Sequence, residues 1–311
     1  MRILKIGIIL LFILFALAPR QLSAQEPEAA EGPAEAHPLF AADVQLQRKW
    51  VDSIYNSMSL EEKLGQLFMV DVFSNTSAAE TRKVSEYIKE HHLGGIIFSK
   101  GGPQRQARLT NEFQALSEVP LLIAMDAEWG AAMRLDSTFA FPWNMTLGAI
   151  RDTSLIARTG EAIARDLRRL GVHMNFAPVV DINTNPNNPI IGNRSFGEGR
   201  EKVAEKSLAL MKGMERGNVL SVAKHFPGHG DTDSDSHKTL PILNHNKQRL
   251  KEVELYPFER LIDEGLTGVM VGHLEVPAFE KRENFPSSLS EEIVTNLLQD
   301  KMEFKGLVVT D

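Results

Sequence analysis

The densest set of reactive side chains in the sequence is Lys224-His225-Phe226-Pro227-Gly228-His229-Gly230-Asp231-Thr232-Asp233-Ser234-Asp235-Ser236-His237, with three histidines and three aspartates in fourteen residues. Imidazoles and carboxylates at this density can bind a metal ion or form an acid/base dyad in which a carboxylate orients a ring that titrates near neutrality. They can equally make a solvated polar hairpin, and composition does not choose among the three. Pro227, Gly228 and Gly230 mark the stretch as a loop, and it begins directly after the apolar run 220–223.

Other polar residues stand in the same relation to apolar runs. Asp126, Asp181, His273 and Asp311 each lie at or just past the end of one. The runs are 66–70, 95–98, 121–125, 173–178, 220–223, 268–271 and 307–310, with helix-like segments between them. Within 154–170, for example, Leu155, Ile156, Ile163, Leu167 and Leu170 fall close to helical spacing. Strands alternating with helices predict a parallel sheet with crossover helices. Strand C-termini that all carry polar groups fit a (β/α)8 TIM-type barrel, where those ends open onto one face. A doubly wound open sheet shows the same alternation, but no Gly-rich phosphate loop follows the first strand. Seven strands are visible, so the α/β barrel is expected to be truncated after strand seven, with the eighth beyond Asp311.

The N-terminus pairs basic Arg2 and Lys5 with an apolar run from Ile6 to Leu17 and a small-residue site, Leu22-Ser23-Ala24. This pattern predicts a signal peptide over 1–24 and a secreted, periplasmic or cell-surface location. The apolar run is shorter than the roughly 20 residues a spanning helix needs, so no membrane span is expected after cleavage. Residues 25–48 are read as a flexible Ala/Glu/Pro-rich tether and 49–311 as the catalytic domain, with order beginning near Trp50. Ser59-Leu60-Glu61-Glu62 matches a capping box. The formal charge is -7, and loss of 1–24 removes Arg2, Lys5 and Arg20 without an acidic residue. An acidic chain of this kind is not expected to bind nucleic acid. There is no cysteine, which excludes disulfides and thiol catalysis within these residues.

The loop carries a resemblance. Lys224-His225-Phe226-Pro227-Gly228-His229-Gly230 followed by Asp235-Ser236-His237 resembles the signature loop of bacterial β-N-acetylglucosaminidases of glycoside hydrolase family 3. Four further segments are similar to the family's, in its order: Met125–Gly130 with Arg134 eight positions past Asp126, Ile191–Phe196, Pro286–Ser290 and Phe304–Asp311. The resemblance covers about residues 50–311. Trp129 and Ala131 depart from the first motif, and Asn193 stands where the family usually has Asp.

What the resemblance implies is a retaining exo-β-N-acetylglucosaminidase that forms a covalent glycosyl-enzyme. Asp311 is then the nucleophile, His237 the acid/base and Asp235 the group that orients it. Asp126, Arg134, Arg194, Lys224 and His225 are expected to bind the sugar, although Arg134 and Arg194 could instead be structural ion pairs. Asp181 and His273 are assigned to bracing loops, and His229 to fixing the loop fold. The expected partners are N-acetylglucosamine-containing glycans or muropeptides, with no cofactor or metal. Three alternatives stand beside this reading: a phosphorylase on the same scaffold, a metal-dependent hydrolase using His225, His229, Asp231 and His237, and a non-catalytic glycan-binding module.

Overall fold

Seven parallel strands form where the apolar runs fall. In a computed structural model that describes residues 44–235 and 239–311 they are β1 (Met69–Phe73), β2 (Gly95–Lys100), β3 (Leu122–Met125), β4 (Met174–Asn175), β5 (Leu220–Phe226), β6 (Gly268–Val271) and β7 (Leu307–Thr310). The signal segment, residues 25–43 of the tether and His237 lie outside the described residues.

The strands pair in chain order from β1 to β7, every pair parallel. A doubly wound sheet reverses its strand order at a switch point. This one does not, which removes the open-sheet alternative. The sheet also curls, because Met69 of β1 and Val309 of β7, on its two edges, pack against the same inner cluster of Ala124, Met174, Phe176, Val222 and Met270.

Helices precede and connect the strands: α1 (Val44–Ser57), α2 (Leu60–Gly65), α3 (Ala78–His91), α4 (Pro103–Gln114), α5 (Asn144–Gly148), α6 (Thr153–Arg169), α7 (Arg200–Arg216), α8 (Lys247–Glu252) and α9 (Tyr256–Asp263). A π-type turn, Glu292–Lys301, leads into β7. Helices α3, α4, α6, α7 and α9 cover the outer face of the sheet. Leu109 and Phe113 of α4 and Ile156, Ile163 and Leu167 of α6 are buried in one cluster with Ile96 and Ile123, while Phe258 and Leu261 of α9 join Ala223, Phe226, Val269 and Val271. No helix among the described residues is long and apolar enough to cross a membrane.

Local signals hold where they are short-range. Ser59 and Glu62 form the expected capping box on α2. Helix α6 runs one residue earlier at each end than its spacing predicts, with the Asp152 carboxylate accepting from Ser154 N–H at 2.9 Å.

Several boundaries move, the fourth strand shrinking from 173–178 to Met174–Asn175 and the second running on to Lys100. The first strand begins at Met69, not at 66, because Gln66 caps α2 and the Leu67 and Phe68 amides donate to Leu64 and Gly65 carbonyls. Helix α1 starts at Val44, inside the expected tether, where Gln45, Leu46, Gln47 and Arg48 are all good helix formers. The fifth strand runs on to Phe226, so Lys224 and His225 sit at a strand end and not in the loop.

Helices α6 and α7 touch backbone to backbone through glycine. A Cβ at Gly213 would lie 2.0 Å from the Ala157 carbonyl oxygen. Gly213→Val is therefore expected to push the helices apart and cost about 1–3 kcal/mol or more by overpacking. The check is chemical denaturation of the full-length protein, and an unchanged midpoint would show that the pair tolerates separation.

Candidate active site

The pleat of a strand sends alternate residues to the same face. Leu122 and Ala124 face the interior of the curl, and two residues on comes Asp126; Leu220 and Val222 are followed in step by Lys224, Met69 by Asp71, Ile97 by Ser99 and Val309 by Asp311. Every one of these polar residues lines a single cavity of about 360 Å³, together with Glu128, Arg134, Arg194, His225, His229 and Thr310. Its floor is the inner apolar cluster, represented in the lining by Ile97, Phe176 and Met270.

A network of opposite charges organises the wall above β3 and β5. The Lys224 ammonium is almost fully buried and donates to Asp126 Oδ1 at 2.7 Å, with Glu128 Oε1 at 2.9 Å. Arg134 reaches Asp126 Oδ2 at 2.8 Å. Arg194 grips Glu128 with a two-pronged contact, Nη2 to Oε1 at 2.7 Å and Nε to Oε2 at 3.0 Å. Burial works against charge on Asp126, but Lys224 and Arg134 outweigh it and hold its carboxyl down from the ordinary 3.8 to about 2. Burial likewise opposes charge on Glu128, which Lys224 and Arg194 hold down from 4.5 to about 2. Arg134 and Arg194 thus make the ion pairs that were the alternative to binding, and they line the cavity as well.

Beneath the loop, Asp181 is a buried hub. Its carboxylate accepts from the His225 and His229 amides, the latter at 2.6 Å, and meets His225 Nδ1 at 2.7 Å. Arg194 Nη2, which can only donate, faces His225 Nε2 at 3.3 Å. The hydrogen of neutral His225 therefore sits on Nδ1, toward Asp181. Burial opposes charge on Asp181, and the two histidines still bring its pKa below the ordinary value. His229 is buried with its main chain tied to Asp181 and Asn188, in keeping with a role in the loop fold. Burial pushes its pKa down.

Of the three expected reacting residues, Asp311 lines the cavity at the end of β7, its N–H donating to Val271 O at 3.0 Å. Asp235 is partly exposed on the loop, where its carbonyl accepts from Thr239 N–H at 3.0 Å. His237 lies outside the described residues. Asp126, Arg134, Arg194, Lys224 and His225 are all brought together.

Three cavity residues escaped the reading of the sequence: Glu128, Asp71 and Ser99, whose hydroxyl donates to the Asp71 carboxylate. Glu128 sits inside a quoted motif, and Asp71 and Ser99 each follow an inward apolar residue by two positions, which is the signal that would have found them. The departure at Trp129 is accommodated by stacking on Trp143, with ring centroids 4.5 Å apart and planes 10° from parallel.

Of the residues that the metal-dependent alternative would use, His225 and Asp231 are drawn to different partners among the described residues. His225 turns to Asp181, while Asp231 pairs with His245 at 2.7 Å. Asp231, His245 and Glu254 have ligand atoms close enough to share a cation, as do Glu62, His92 and Glu118. Neither group lines the cavity, and Arg249 already brings positive charge to Glu254 at 2.9 Å and to Asp231 at 3.7 Å.

Fold and site together define a parallel TIM-like barrel domain with a polar, ion-paired cavity at the C-terminal mouth of its strands. The chain belongs to the glycosyl hydrolase family 3 N terminal domain family, whose pattern matches residues 59–311. It is 36% identical over 252 residues to beta-hexosaminidase A of Pseudoalteromonas piscicida, a match covering 74% of this chain and 42% of that one. A glycoside hydrolase family 3 beta-N-acetylglucosaminidase from Paenibacillus sp. str. FPU-7 superposes with a TM-score of 0.76 at 39% identity, covering 82% of this chain and 49% of the other. Beta-glucoside phosphorylase BglX superposes with a TM-score of 0.81 at 27% identity, covering 86% and 49% respectively. The chain therefore spans about half the length of these relatives or less.

The charge network makes stability pH-dependent. Asp126 and Glu128 have folded-state values below their ordinary 3.8 and 4.5, so the stability they contribute is fully present above about pH 4.5 and is lost as pH falls through about 2. Lys224→Met is expected to flatten that slope and, by removing one of the two cations on each buried carboxylate, to cost about 3–5 kcal/mol near neutrality. Urea denaturation across this pH range tests both, and a variant with the wild-type slope would remove Lys224 as the residue that holds the carboxylates down.

Proposed function

We propose that the chain is the catalytic barrel of an exported, retaining exo-β-N-acetylglucosaminidase acting on peptidoglycan-derived glycans or muropeptides. The observation that carries the reading is Asp311, which the pleat of β7 turns into the cavity shared by Asp126, Arg134, Arg194, Lys224 and His225. The beta-hexosaminidase and beta-N-acetylglucosaminidase names of its relatives support the choice of sugar. Export rests on the basic, apolar and small-residue pattern of residues 1–24.

The Asp311 carboxylate attacks the anomeric carbon as the bond to the leaving oxygen breaks, and His237 gives that oxygen its proton. His237 then takes a proton from water, whose oxygen attacks the same carbon and frees the carboxylate. Asp235 orients the imidazole and favours its protonated form. The carboxylates and cations of the wall hold the sugar hydroxyls, in bonds that strengthen as positive charge develops on the ring. A histidine acid/base avoids setting a second full anion beside Asp311. The small cavity suits a single terminal sugar, hence exo action.

The phosphorylase likeness favours a second reading, in which phosphate replaces water as the acceptor. Against it, the cavity lining sets four carboxylates, Asp71, Asp126, Glu128 and Asp311, against the three cations Lys224, Arg134 and Arg194, a balance that disfavours a phosphate anion. Product analysis with and without phosphate separates the two: free sugar in both supports the hydrolase, and sugar 1-phosphate formed only with phosphate supports the phosphorylase.

We also read β1 and β7 as the flanks of an eighth strand. Phe68, Phe73 and Leu307 leave apolar surface at those edges that such a strand and its helix would cover. Residues 1–311 alone are then expected to aggregate or melt without cooperativity, and a monodisperse, cooperatively melting preparation would overturn this. In the full-length protein, Asp311→Asn is expected to abolish chromophore release from an aryl N-acetyl-β-glucosaminide. Turnover near the wild-type level in that variant would assign the nucleophile elsewhere.

A further inference from the structure

Asp311 can attack only if its main chain is held, and among the described residues its strand, β7, is held by β6. The ladder to β6 reaches as far as the Asp311 N–H, which donates to Val271 O. The next contact comes from a side chain. His273, two residues beyond the end of β6, places Nε2 2.7 Å from the Asp311 main-chain oxygen.

That oxygen can only accept, so Nε2 carries the hydrogen. In the neutral ring Nδ1 then holds a lone pair, and it meets Ser288 Oγ at 2.6 Å, which must donate. Ser288 belongs to the 3-10 turn Ser287–Leu289, docked on both sides of His273. Ser287 Oγ donates to Gly272 O at 2.6 Å, and its amide donates to Leu274 O at 2.8 Å. A turn 14 residues further along the chain thus sets the tautomer and angle of the ring. His273 is not part of the cavity lining, so its action on the sugar passes through Asp311.

We infer that His273 is a positioning residue that, with Ser288 behind it, clamps the main chain of Asp311 so that its carboxylate faces the sugar. This rests on Asp311 being the nucleophile. A displacement of about 1 Å at a reacting group costs on the order of 100-fold in rate. Binding is left intact, because Asp126, Arg134, Arg194 and Lys224 hang from other strands and loops.

The test is carried out on the full-length protein with an aryl N-acetyl-β-glucosaminide. His273→Leu is expected to lower kcat by about 10- to 100-fold with KM within about threefold. His273→Gln, whose amide N–H reaches to the place of Nε2–H, is expected to recover most of the loss, and Ser288→Ala to show a smaller fall. Equal activity in the Leu and Gln variants, or a rise in KM with kcat intact, overturns the clamp. A second measurement needs no substrate: nitrogen-15 spectra of the His273 ring are expected to show the Nε2–H tautomer, and the Nδ1–H tautomer overturns the proposal. If the wild type turns over no N-acetyl-β-glucosaminide, the functional reading fails, while the ring spectrum still decides whether His273 donates to Asp311.

Discussion

A lysine ammonium taken almost wholly out of water must be repaid with anionic partners, and Lys224 draws Asp126 and Glu128 toward the end of β5 for that reason. Two acids around one cation leave a surplus of negative charge. Arg134 meets Asp126 and Arg194 meets Glu128, each from a different loop: Arg134 from the segment after β3, Arg194 from the 3-10 turn Gly192–Arg194. One buried charge therefore holds three segments of the cavity wall in register. It also keeps the carboxylates ionised, so that they meet a ligand as acceptors.

The strand pleat supplies the other constraint. Side chains alternate between the helix-covered outside and the inside of the curl, so an inward apolar residue is followed two positions later by another inward residue. Within the curl that next residue belongs to the interior core; at the strand C-terminus it reaches the open mouth, where polar groups are tolerated. Asp71, Ser99, Asp126, Lys224 and Asp311 occupy this rim. Chemistry gathers there because the same periodicity that fills the core with Met174, Val222 and Met270 runs out of barrel at the rim.

Asp181 ties the reactive loop to this frame. Its carboxylate takes the His225 and His229 amides and the His225 ring, so the first turn of the loop is anchored on a buried anion before the chain reaches Asp231. Asp231 is held in turn by His245 and lies near Arg249. The stretch that runs on to Asp235 thus springs from fixed ground at its near end.

The order of the strands, the capping box of Ser59 and Glu62, helix α6 and the position of Asp126, Lys224, His225 and Asp311 at strand ends were legible in the sequence. They depend on periodicity, capping and polar residues at the ends of apolar runs, all written within a few neighbouring positions. The start of β1 was misjudged because Gln66, Leu67 and Phe68 look like strand but finish a helix, their amides bonding back to the Glu62, Leu64 and Gly65 carbonyls. The charge network was not legible. Lys224 meets Asp126 across 98 positions, Arg194 meets Glu128 across 66, and His225 meets Asp181 across 44. No local pattern encodes such pairings, because they exist only once strand register and the curl of the sheet have set which inward residues share a rim. The pleat could have pointed to Asp71 and Ser99, and Asp181 was read as a loop brace, but that Glu128, Asp71 and Ser99 share one rim, and that Asp181 takes hold of both His225 and His229, is decided by the tertiary structure.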